Sequence, residues 1–163
     1  MNFRTSKRVR FAISALTALA LSLPLASNSF ATTPKTIIPK VSTRHGIAPV
    51  ISKPVGAAPK VLTAKDIFVG KGKVARATST VTAQYVLMSW KTGKVLQSSW
   101  SSGPFTAPLS GVIRGWQLGI PGMKVGGRRI LIIPPALAYG AAGGGPVGPN
   151  ETLIFVVDLL GVK

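Results

Sequence analysis

Three short runs hold the residues of this chain that could form a binding site: Val112-Ile113-Arg114-Gly115-Trp116, Gly126-Gly127-Arg128-Arg129 and Ala138-Tyr139-Gly140. Their aromatic and aliphatic side chains can floor an apolar hollow, and none of them is an acid-base catalyst at neutral pH. The whole chain offers three carboxylates (Asp66, Glu151, Asp158), one imidazole (His45) and no thiol. A catalytic triad, a paired-carboxylate site or a metal cage would lack components. His45 lies in a Pro-rich stretch far from the Gly-rich runs, so a Ser or Thr nucleophile would have no base beside it. Any catalysis here is expected to proceed without proton transfer, without a metal and without a cofactor.

The elements that must position these runs are legible in outline. Val61 to Val69 reads as a first strand. Val81, Ala83, Tyr85 and Leu87 alternate with Thr82, Gln84, Val86 and Met88 as a second, half-buried strand. Lys91-Thr92-Gly93-Lys94 supplies a turn, and Val95 to Ser99 returns as its hairpin partner. A loop rich in Ser, Gly and Pro follows from Trp100 to Gly111. Val112 to Gly119 is the one good helix candidate, with Ser110 as its cap, Ile113, Trp116 and Ile120 on one face, and Gly119 and Pro121 ending it. Arg128 to Pro134 and Thr152 to Val162 complete the strands. The order predicts an α+β fold in which an antiparallel sheet wraps around a single short helix. On spacing alone Tyr85, Trp116 and Phe155 read as core, Arg128 and Arg129 as a solvated strand start, Asp158 as a local partner for a base, and Trp90 and Trp100 as loop or edge packing.

Residues 1–31 read as an export signal. Arg4, Lys7, Arg8 and Arg10 precede an uncharged stretch from Phe11, and Ser29-Phe30-Ala31 offers a small-x-small cleavage site. An uncleaved N-terminal membrane anchor is the alternative. Without cysteine, neither lipid attachment through a cysteine nor a disulfide is available, so stability must come from packing. Residues 32–60, with Pro34, Pro39, Pro49, Pro54 and Pro59, read as an extended, semi-stiff tether that either holds the domain off a membrane or wall or, as an ordinary exported linker, partly docks on the domain, and residues 61–163 read as one domain. The chain carries 20 Lys and Arg against 3 acidic residues, a net charge of +17, and removing the signal leaves about +13. Such a field favours anionic surfaces such as envelope polymers, acidic lipid headgroups or, outside the cell, stray nucleic acid; the alternative is a solubility and non-specific adhesion effect with no dedicated partner, and no specific nucleic acid is expected.

The spacing of four motifs resembles that of FKBP-type peptidyl-prolyl cis-trans isomerases, exported bacterial members most: Val-Ile-Arg-Gly-Trp, Gly-Met-Lys-Val-Gly-Gly-Arg-Arg, Ile-Pro-Pro-x-Leu-Ala-Tyr-Gly and Pro-Asn-x-Thr-Leu-Ile-Phe, over about residues 64–162. The resemblance implies a twisted five- to six-stranded antiparallel sheet around one short helix, with a proline-sized pocket between them. It implies Trp116 as the pocket floor, Val112 and Ile113 as the adjacent wall, and the Ile113 amide as the anchor for a substrate carbonyl. Tyr85, Phe105, Tyr139 and Phe155 become wall and rim aromatics, and Val147 an apolar residue of the Gly-rich loop. The implied partners are proline-containing exported polypeptides and macrolide ligands, with the protein acting as a monomer. This chain departs from the pattern on one side of the pocket. Leu96 and Gln97 replace a Phe-Asp pair, Ser102 replaces an arginine, Ala107 replaces a second loop aromatic, and the loop from Gly143 to Gly148 is one residue short. Those changes motivate a rival reading, an FKBP-like peptide-binding or chaperone module of weak or no catalysis.

Overall fold

A computed structural model describes residues 36–163. The export-signal reading therefore lies outside the described residues. Among these, no helix is long and apolar enough to cross a membrane.

Six strands are present: β1 (Thr63–Phe68), β2 (Thr80–Ser89), β3 (Val95–Ser98), β4 (Phe105–Pro108), β5 (Arg128–Ile133) and β6 (Leu153–Val162), with one helix, α1 (Arg114–Gly119). They form one antiparallel sheet in the order β1-β5-β6-β2-β3, and β4 pairs with the first half of β2 while β3 pairs with the second. A long β2 can serve two short partners because a loop separates them and each covers about four residues. The loop expected between Trp100 and Gly111 thus contains a strand. Its sequence, Phe-Thr-Ala-Pro, is short and ends in proline, which an edge strand tolerates because the missing N–H faces outward.

Strand alternation sorts the two faces. Val81, Ala83 and Leu87 of β2, Leu131 and Ile133 of β5, and Leu153, Phe155, Val157 and Leu159 of β6 pack with Trp116 and Ile120 of the helical segment in the inner core. Val86 and Met88, Ile130 and Ile132, and Ile154 and Val156 point the other way and form a second buried cluster with Trp90 and Ile51. Because β5 and β6 are buried on both faces, their sequences run as continuous apolar blocks instead of alternating.

That second cluster bears on two expectations, the docking of the proline-rich segment and the solvated start of β5. The segment before residue 60 is folded onto the sheet. Residues 37 and 55, and 41 and 51, pair as antiparallel bridges, Ser42 N–H donates to Val50 C=O at 3.0 Å and Ser52 N–H to Lys40 C=O at 2.9 Å, and Ile38, Val41, Ile51 and Ala58 cover the outer face. Prolines stiffen this arm, and burial of its aliphatic side chains holds it down. The second half of β2 is consequently buried on both sides, and Trp90 sits in the outer cluster at 7% exposure.

The solvated reading of Arg128 is the one overturned: Arg128 is fully buried. Its Nε and Nη2 donate to the Asp158 carboxylate at 2.5 and 2.7 Å. Nη1 donates to Ser42 C=O and the same Nη2 to Ile47 C=O, both at 2.9 Å. The fork geometry of a guanidinium allows one side chain to neutralise a buried carboxylate and satisfy two carbonyls of the arm at once. Phe68 covers the cation, with Cζ 5.4 Å from its ring centre, and His45 stacks on the same ring at 3.8 Å. Asp158 is the base partner the sequence reading expected, reached because β5 and β6 pair residue 128 with residue 158. Arg129, on the inner side, pairs with Asp66 across β1 at 2.7 and 3.0 Å and also donates to Gly119 C=O at 2.8 Å, tying the end of α1 to the sheet edge.

Candidate functional site

Helix α1 starts two residues later than the sequence predicts, at Arg114 instead of Val112. Ile113 is its N-cap, no side chain caps it, and Ser110 instead lies in a short 3-10 turn over Leu109–Gly111. Gln117 braces the turn from inside the helix without capping it: its Nε2 donates back to Val112 C=O at 2.8 Å while Arg114 Nη1 donates to Gln117 Oε1 at 2.9 Å. The consequence is a rigid turn at Val112-Ile113. No acceptor among the described residues takes the Ile113 N–H.

The helix lies close to the sheet because Gly115 faces it. A Cβ at that position would fall 2.4 Å from Ile133 Cγ2. This close approach sets Trp116 beneath the gap between helix and sheet, at 3% exposure. Around it stand Tyr85 from β2, Phe105 from β4 and Phe155 from β6. Their ring centres lie 5.6, 5.9 and 5.4 Å from the indole, each within ten degrees of perpendicular. Edge-to-face contacts of this kind are worth about 0.5–1.5 kcal/mol each beyond area burial, and four rings that brace one another keep their rotamers.

The rings leave a cavity of about 320 Å3, lined by Tyr85, Gln97, Phe105, Gly111, Val112, Ile113, Trp116, Tyr139 and Phe155. Eight of the ten residues singled out from the sequence therefore converge. Leu96 and Val147 do not line the cavity: Leu96 points under β3 and packs on the inner core, and Val147 is itself core at 5% exposure. Alternation explains the first, because on a strand only one of two neighbours can face the cavity, and here it is Gln97. Gly111 is a liner the sequence reading missed, since a backbone wall leaves no side-chain signal.

Tyr139 reaches the rim from the Gly-rich loop and is 39% exposed. The loop is held by Gly140 N–H to Pro135 C=O and Asn150 N–H to Gly140 C=O, both at 2.9 Å, and by Glu151, whose carboxylate accepts from Ser89 Oγ and from Gly148 N–H. Gly144 packs so closely on the phenol ring that a Cβ there would stand 2.9 Å from Tyr139 Cδ1. Burial, reinforced by the neighbouring Tyr139 phenol, raises the Tyr85 pKa above the ordinary 10.0, so Tyr85 stays a neutral hydroxyl throughout the physiological range. The buried Trp116 indole N–H has no partner among the described residues. No charged side chain lines the cavity, and no group of three metal-ligating residues occurs among the described residues.

An antiparallel sheet packed on one short helix, with an uncharged aromatic cavity at their junction, defines a small α+β domain. The family model of the FKBP-type peptidyl-prolyl cis-trans isomerases matches residues 71–160, and the chain belongs to that family of enzymes. It is 50% identical over 113 residues to a probable FK506-binding protein of Corynebacterium glutamicum and 49% identical over 119 residues to an FK506-binding protein of Streptomyces anulatus. Those alignments span 69% and 70% of this chain and 96% of each relative. Among solved structures it superposes on FkpA from Escherichia coli with a TM-score of 0.59 at 40% identity, covering 63% of this chain and 48% of FkpA. AtFKBP13 gives 0.58 at 36% identity, covering 65% of this chain and 96% of that one. The chain thus spans about half of FkpA and nearly all of AtFKBP13.

Proposed function

We propose that this protein accelerates cis-trans rotation of X-Pro bonds in exported polypeptides, with the aromatic cavity as the site of rotation. The carrying observation is the ring of Tyr85, Phe105, Trp116 and Phe155 around an uncharged hollow, beside the uncommitted Ile113 N–H. An amide resists rotation by about 20 kcal/mol because the planar forms gain resonance and charge separation that the twisted state lacks. X-Pro bonds keep this barrier although their cis and trans forms differ by only about 0.5–1 kcal/mol. An apolar cavity that excludes water solvates the planar, more polar forms less well than the twisted one. Perpendicular rings grip the pyrrolidine, the Ile113 amide holds a carbonyl, and the Tyr139 hydroxyl meets the peptide at the rim. Binding the twisted state better than either planar state lowers the barrier without a nucleophile or a proton.

Export is supported by the basic, apolar and small-residue succession in residues 1–31. Beyond the membrane no ATP-driven chaperone assists folding, and a protein that needs no cofactor works there unaided as a monomer. Names of relatives such as FK506-binding protein support a macrolide competing for the same cavity.

The test is magnetisation-exchange NMR on a Leu-Pro tetrapeptide. The protein is expected to raise the interconversion rate well above the uncatalysed one, and Phe155→Ala to remove most of that gain. No acceleration, together with retained binding of unfolded chains, would establish the non-catalytic module instead. N-terminal sequencing of exported material is expected to begin near Thr32, and an intact N terminus in the membrane fraction would mean an anchor.

A further inference from the structure

The three carboxylate side chains of this chain are all engaged: Asp66 with Arg129, Asp158 with Arg128, and Glu151 with Ser89 and the Gly148 N–H. Among the described residues every other Lys and Arg is left without an ionic partner. These cations are not evenly spread. Lys71, Lys73, Arg76, Lys124 and Lys163, all exposed, come from three segments that the backbone stitches together. Gly72 N–H donates to Val125 C=O and Val125 N–H to Lys73 C=O, both at 2.9 Å. Residues 74 and 124 form a bridge, and Thr80 and Lys163 exchange N–H to C=O bonds at 3.0 and 2.9 Å. Between them runs a groove of about 570 Å3 lined by Lys73, Val74, Arg76, Thr78, Ser79 and Lys163, with no carboxylate side chain in its walls. None of these residues lines the aromatic cavity.

We infer that this face docks on an anionic lipid surface, with the lysines and arginine contacting the headgroups. Two features select lipid over nucleic acid. Val69 and Val74, 65% and 42% exposed, flank Lys71 and Lys73 in the run Val-Gly-Lys-Gly-Lys-Val, and exposed apolar side chains beside cations are what a headgroup boundary accepts. The groove has no aromatic side chain on which a base could stack. The inference stands apart from catalysis, because the cavity and this face share no residue.

Co-sedimentation of the full chain with vesicles tests it, using phosphatidylglycerol mixed into phosphatidylcholine against phosphatidylcholine alone. The neutral vesicles register whatever the apolar stretch of residues 11–31 contributes by itself. Each cation near an anionic surface is worth about five-fold in partitioning, so K71Q/K73Q/R76Q is expected to lose on the order of 100-fold of the anionic-specific binding. The charge-matched K53Q/K60Q/K91Q is expected to stay within about five-fold of the parent. Release of the parent protein on raising salt from ~0.1 to ~0.5 M supplies an independent reading that needs no variant. Equal losses in the two triple variants would overturn the inference in favour of diffuse net charge. So would undiminished anionic-specific binding in high salt, or a single-stranded oligonucleotide that binds the face as tightly as the vesicles do.

Discussion

Gly115→Ala sets two physical effects against each other, and the structure says which prevails. Helix propensity alone favours alanine by about 1 kcal/mol. The added methyl, however, would lie 2.4, 2.6 and 2.9 Å from Cγ2, Cδ1 and Cγ1 of Ile133, where ordinary contacts are about 3.5–4.0 Å. Ile133 cannot yield, because it is fully buried and its backbone pairs with Leu153 in β6. The helix must therefore lift by about 1 Å, an overpacking cost of about 1–3 kcal/mol. Three contacts under 3.0 Å to a side chain that cannot move place the cost in the upper half of that range, about 2–3 kcal/mol, so the net expectation is a loss of about 1–2 kcal/mol, or about 4–8 °C in Tm for a domain of this size. Since Trp116 rides on the next residue, its perpendicular contacts with Tyr85, Phe105 and Phe155 open with it. Thermal unfolding followed by near-ultraviolet circular dichroism reads both effects, as a lower Tm and a weakened indole signal in the folded state. A Tm equal to or above the parent's would show instead that propensity outweighs the helix-sheet contact.

Arg128→Met leaves Asp158 buried without its cation and the Ser42 and Ile47 carbonyls without a donor. Urea unfolding is expected to show a loss of about 3–5 kcal/mol, with protease cleavage appearing first within residues 36–58, and a loss under about 1 kcal/mol would show that the arm is held by apolar contact alone. In Tyr139→Phe protein, ultraviolet titration is expected to find the Tyr85 phenol ionising above 10.0, since burial is the larger cause of the shift. A raised folded pKa means that this contribution to stability is complete below the unfolded value of about 10 and is lost as the pH climbs through the folded one; ionisation at or below 10.0 would contradict the burial. Tyr139→Phe also removes one rim hydroxyl, and calorimetry is expected to show FK506 affinity lower by about 0.5–1.5 kcal/mol, whereas unchanged affinity would exclude the hydroxyl as a ligand contact.

How much of this was legible beforehand depended on whether a feature is local. The apolar blocks Ile130 to Ile133 and Leu153 to Leu159 announce strands by composition, and Trp116 with Tyr139 announce a pocket through their motif neighbours. Whether the arm is a free tether or docks was not decidable from the sequence, because five prolines erase any period and only its tertiary contacts on the outer face hold it down. Arg128 looked solvated beside a second arginine, yet a signal existed in Asp158. A lone carboxylate inside an apolar strand demands a buried cation, and the register of β5 on β6 supplies Arg128. Leu96 was grouped with Gln97 by adjacency, although strand alternation turns one toward the cavity and the other beneath it.

The central claim is that one aromatic cavity both holds the ligand and eases the rotation. Its most direct test is the X-Pro interconversion rate measured while FK506 is titrated into the protein. The acceleration is expected to fall to the uncatalysed rate as FK506 reaches one molecule per chain. An acceleration that persists when FK506 is fully bound, or FK506 binding with no acceleration to abolish, would contradict it.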